Sequence, residues 1–159
     1  GRMQFKVSED VDAPQATVWA HFTDFSGFEE DARGRGATVT RVGNWTQTAE
    51  GVEWRGEVTI RGKARAISSR VTRLVPEELC LIDSRIGGMD CAYEMSFVPL
   101  SPEVTRVALV LELSADTMTA RLLLQTLKLA RGKVLQRLQG MIARQGNAAE
   151  AAYRRSRTG

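Results

Sequence analysis

The sequence predicts an α+β fold in which one antiparallel sheet of seven strands curves around a single long C-terminal helix, with two short helices after the first strand. Three observations carry this. A strand-like segment and a short helical stretch occupy residues 3–33, a run of alternating segments divided by tight turns follows to about Ser114, and a long amphipathic stretch fills most of the rest. A chain of 159 residues forms one domain and buries roughly 70% of its unfolded surface, enough for a core without metal or disulfide support. Its 43% apolar and 26% charged residues are those of a globular protein.

Met3–Val11 alternates, with Phe5, Val7 and Val11 on one face and Gln4, Lys6, Ser8 and Asp10 on the other. Asp12-Ala13-Pro14-Gln15 reads as a helix start, with Asp12 as cap and Pro14 in the first turn. Val18 and Phe22 are that helix's core positions. Ser26-Gly27-Phe28-Glu29 has the spacing of a capping box and predicts a second short helix, ending in Arg33-Gly34-Arg35-Gly36.

From Ala37 the period changes to two. Val52, Trp54, Val58 and Ile60 share a face, as do Cys91, Tyr93, Met95 and Phe97, and Val107, Leu109, Leu111 and Leu113. Gly62-Lys63, Pro76-Glu77, Gly87-Gly88 and Ser101-Pro102 mark the turns. Gly87-Gly88 fits a two-residue hairpin, where positive φ is needed. Turns this close together imply a meander of about six further strands.

Ser114 or Asp116 opens the last helix, which runs to about residue 144. Ala120, Leu123, Leu124, Leu127, Ala130, Val134, Leu135, Leu138, Met141 and Ile142 form one apolar stripe. Gly132 and Gly140 each cost about 1 kcal/mol against alanine in a helix, which points to a bend or close packing. Residues 146–159 lose the stripe and are expected to fray or move.

Charge is divided unevenly: the first 116 residues carry −5 and the remainder +8. Such a basic end suits either a nucleic-acid or anionic-membrane surface, or simply a solvated helix face; the second reading is preferred, and nucleic acid ranks low as a partner. Cys80 and Cys91 lie in strand-like segments and read as free buried thiols. With no export signal near the start, the expected location is cytoplasmic. The single histidine, His21, rules out a multi-histidine metal site and reads as structural. No metal set, cofactor motif or glycine-rich phosphate loop is present, so neither metal nor cofactor is expected.

The wording of residues 11–25 agrees with this element order. Val11-Asp12-Ala13-Pro14, then Val18-Trp19, then Phe22-Thr23-Asp24-Phe25 resembles the opening of the START-like (SRPBCC) superfamily, the polyketide cyclase/dehydrase and lipid-transport group. That resemblance implies a helix-grip fold with a cavity between sheet and final helix. It implies no single function, because the fold hosts carriers, cyclases and aromatases alike.

The expected cavity wall comprises Phe28, Trp54, Tyr93, Met95, Leu127 and Val134. Arg131 falls in the middle of the apolar stripe and has three readings: it anchors a ligand's polar group, pairs with Glu9, or carries its head out to solvent along an apolar stem. Leu122 and Leu129, seven apart on the outer side of the last helix, read as a dimer interface, a membrane-touching patch near Lys133, or ordinary exposed leucines. The leading expectation is a protein that binds an apolar or amphipathic small molecule. A cyclase- or aromatase-type enzyme comes second, since no catalytic residues are matched. An interaction module built on the basic helix is third.

Overall fold

Alternating apolar residues become strands here, and strand pairing then decides which face each residue occupies. The structure is a computed structural model describing residues 2–158. It runs β1 (Arg2–Val11), α1 (Gln15–Phe22), α2 (Phe25–Gly34), β2 (Ala37–Val42), β3 (Glu53–Ile60), β4 (Lys63–Val75), β5 (Leu79–Ile86), β6 (Met89–Ser101), β7 (Val104–Ala115), α3 (Met118–Leu129) and α4 (Arg131–Thr158). The seven strands form one antiparallel sheet in the order β1-β7-β6-β5-β4-β3-β2. The predicted fold class and strand count hold.

Register explains the two faces. Phe5 pairs with Leu111, which pairs with Tyr93, which pairs with Ile82, so all four point to one side. The next row on that side joins Trp54, Ser69, Ser84 and Cys91. The helices lie against this inner face. The turns follow the expected chemistry: Gly87 has φ 59° between β5 and β6, and the β3–β4 hairpin turns on Arg61 and Gly62, both with positive φ.

In the middle of β3, Gly56 is required for another reason. A Cβ there would overlap the Thr38 carbonyl oxygen of β2, so the backbones approach too closely for any side chain.

Five local expectations are corrected. The expected long final helix is two helices, because the chain breaks at Ala130, whose N–H is shared among the carbonyls of Thr126, Leu127 and Lys128. The break lets α3 pack on β7 while α4 packs on β1 and α1. The start of α3 is capped by Thr117, whose hydroxyl accepts from the Ala120 N–H; Asp116 instead binds Arg85.

The expected capping box is not formed, since α2 begins at Phe25 after Asp24 and places Ser26 inside the first turn. Glu29 is thereby free to bind Arg41 and Trp54. The first cap also differs: Pro14 precedes α1 with no side-chain cap, and Asp12 instead donates its backbone N–H to the Glu150 carboxylate.

The expected fraying from residue 146 is not seen either. Helix α4 continues to Thr158, and Gly146 and Ala149 are buried. A Cβ on Gly146 would sit 3.0 Å from Val11 Cγ2, so a residue without a side chain lets α4 close on β1. Tyr153 then donates to Glu103 at 2.6 Å, and Arg157 pairs with the same carboxylate.

Candidate ligand cavity

Burial divides the inner face into two apolar clusters. The larger lies where α1, α3 and α4 cover β1, β7 and β6, around Phe5, Val18, Leu109, Leu124 and Ile142. The smaller joins Phe25, Val52, Trp54 and Val71 where α2 covers β3 and β4. Between them lies a cavity of about 240 Å³. A dry cavity of about 150 Å³ already admits benzene, so this one holds a body the size of a fused two-ring system.

Each wall has a local cause. Trp54 is fixed by edge-to-face contacts with Phe25 and Phe28, both 5.8 Å between ring centroids, and by donating from Nε1 to Glu29 at 3.3 Å. Arg41 also donates to that carboxylate, at 2.6 Å, and its guanidinium lies 4.4 Å over the Phe25 ring. Burial pushes the Glu29 carboxyl up, but the hydrogen bonds from Arg41 and Trp54 outweigh it and hold Glu29 below its ordinary value. The floor carries Ser69 and Ser84, paired across β4 and β5 with hydroxyls 2.7 Å apart.

Polar groups converge on this mostly apolar space. Tyr93 lines it from β6, and burial raises its phenol above the ordinary value, with Cys91 adding to the shift and Arg35 opposing it. The phenol is therefore neutral and able to donate. Arg35 caps the C-terminus of α2 and reaches the thioether sulfur of Met141 on α4. Asp31, one turn earlier, accepts from Gln145 at 3.3 Å. His21 stands at the end of α1 and also lines the space. No cluster of metal-ligating side chains occurs among the described residues.

Of the expected wall residues, Phe28, Trp54, Tyr93 and Met95 meet at this cavity. Leu127 and Val134 do not; they are partly buried against the larger cluster on α3 and α4. Arg131 does not line it either. Its guanidinium donates to the Gln4 carbonyl at 2.8 Å and lies 5.0 Å from the Phe5 ring, while Glu9 accepts from Gln139. The solvent-seeking arginine is the reading the geometry matches.

His21, expected only as a structural residue, faces the cavity, and Arg35, Asp31 and Gln145 were not anticipated. Leu122 and Leu129 are exposed with Met118 on the outer side of α3, at 64%, 92% and 70%. No helix among the described residues is long and apolar enough to cross a membrane.

An antiparallel sheet gripping its C-terminal helices around an apolar chamber defines the helix-grip class of ligand-binding and cyclase-type proteins. The chain belongs to the polyketide cyclase / dehydrase and lipid transport family, whose model matches residues 2–146. No curated protein gives a significant sequence match.

Solved structures share the fold at low identity. The Zhui aromatase/cyclase from a Streptomyces species is 16% identical with a TM-score of 0.67, covering 94% of each chain. Norcoclaurine synthase from Thalictrum flavum, solved with a transition-state analogue, is 10% identical with a TM-score of 0.67 over 97% of each chain. A START superfamily protein from Mycobacterium smegmatis is 15% identical with a TM-score of 0.55, covering 89% of this chain and 99% of its own.

Proposed function

We propose that this protein binds a small apolar or amphipathic molecule in the chamber between its two apolar clusters. The observation that carries the reading is the gap itself. Two well-packed clusters flank a space of about 240 Å³ lined mainly by aliphatic and aromatic side chains, with Tyr93, Arg35, Asp31 and Gln145 converging on it. Burial of apolar ligand area, at about 25 cal/mol per Å², supplies most of the affinity.

A second reading is favoured by one observation. The neutral phenol of Tyr93 beside the Arg35 guanidinium suits polarising a ligand carbonyl, the work a cyclase or aromatase requires. Both readings begin with occupancy of the same chamber.

Trp54 reports that occupancy. Of the three tryptophans it alone lines the chamber, so a Trp19→Phe/Trp45→Phe double variant isolates its fluorescence. Naphthalene-type probes should quench Trp54 saturably and with little dependence on salt. Absence of quenching at any probe concentration contradicts the proposal.

A further inference from the structure

Resting on that reading, we infer that the chamber's ligand carries an oxyanion, carboxylate or phosphate, seated between Arg35 and Arg65 at the end of the chamber bounded by Ala37, Val58 and Ile86. Strand register sets these cations at the same end of the sheet. Arg65 on β4 pairs with Val58 on β3, and Val58 pairs with Ala37 on β2, two residues beyond Arg35. Residues paired in this way share a face, and both Val58 and Ala37 line the chamber. Arg65 therefore lies on the inner face just past Ile67. Its Nη1 lies 3.7 Å from where a Cβ of Gly87 would be, beside Ile86.

Neither guanidinium has a carboxylate partner among the described residues. The Arg65 Nε is buried and has no hydrogen-bond partner; a buried donor left unmade is costly, and native structures rarely keep one without a reason. Arg35 reaches only neutral acceptors, the weak Met141 sulfur and the Tyr93 hydroxyl. Asp31 is one helical turn away, yet its carboxylate is taken by Gln145. Neither Arg35 nor Arg65 joins an ion pair among the described residues, although Arg33, Arg41 and Arg70 nearby all do. An oxyanion accepts from planar guanidinium groups with matched geometry. Tyr93, also lining the chamber, adds a hydroxyl donor.

The test compares probes that share one apolar body. 2-Naphthoate, 2-naphthyl phosphate and the neutral 2-naphthylmethanol are titrated by calorimetry at physiological salt. One anion should bind at least tenfold tighter than the alcohol, and the preferred anion tells carboxylate from phosphate.

Arg35→Leu and Arg65→Leu should each shrink the anion-to-alcohol affinity ratio towards one, and Arg35→Lys should restore part of it. Reading the ratio within each variant cancels any general loosening of the chamber. Equal binding of anions and alcohol by the unaltered protein, or a ratio that survives both leucine variants, overturns the inference while leaving the chamber reading intact. Failure of all three probes to bind overturns both.

Discussion

Filling the chamber from its floor separates an open space from a packed core by the sign of a free energy. Ser84 faces the chamber from β5 and contacts Ser69 through hydroxyls 2.7 Å apart. Ser84→Ile replaces that hydroxyl with a β-branched side chain suited to a strand and adds about three carbons. At about 0.8 kcal/mol per buried methylene these contribute about 2.4 kcal/mol when they enter empty space. Loss of the hydroxyl contact removes about 1 kcal/mol. The net is a stabilisation of about 1 kcal/mol, or about 2–4 °C in Tm for a chain of this size.

In an already packed core the same carbons would destabilise by about 1–3 kcal/mol. Urea unfolding gives the sign, and Trp54 quenching by 2-naphthylmethanol reports the space that remains. The expected variant is more stable and binds the probe at least tenfold more weakly. A variant that is destabilised by more than 1 kcal/mol and still binds normally would refute the geometry of the chamber.

Gly56→Ala forces a methyl against the Thr38 carbonyl and should destabilise by at least about 2 kcal/mol in urea titration. Gly140→Ala meets only the movable end of Arg144, at 3.3 Å, so it should gain up to about 1 kcal/mol of helix propensity; a loss in thermal unfolding would mean that the position is packed. Burial pushes the Cys80 and Cys91 thiols up to about 12, so a disulfide reagent at pH 8 should label them only on unfolding, and stability should fall above about pH 9 as thiols ionise in the unfolded chain alone.

Glu29 is held below its ordinary value of 4.5, so its contribution is complete above about that pH and is lost on further acidification. Urea midpoints measured from pH 7 to pH 3 should drop less steeply in Glu29→Gln.

Strand periodicity was the most legible feature, because alternation names the inner face before any partner is known. It placed Trp54, Tyr93 and Met95 on the chamber wall. Helical periodicity was weaker. The stripe from Ala120 to Ile142 is buried or half-buried as expected, but it gave no sign of the break at Ala130, which follows from α3 and α4 packing on different strands.

Phase along a helix also says nothing about depth. Arg131 lies at the centre of the stripe, yet its long stem carries the guanidinium out to the Gln4 carbonyl. The end of α4 was underrated because Gly146 and Ala149 pack through small size, which a search for large apolar residues overlooks. Arg35 was hidden in a glycine-flanked turn, and Arg65 sits in β4 at a position whose partner in β3 local sequence does not reveal. Only long-range pairing sets them at the same end of the sheet.

The most direct test of the chamber's role is native mass spectrometry of freshly purified protein, followed by organic extraction and identification of anything released. The account predicts a stoichiometric adduct that Ser84→Ile no longer carries, released as a small apolar body bearing an acidic group. A protein that shows only its bare mass, and whose Trp54 responds to none of the naphthyl probes, would contradict it.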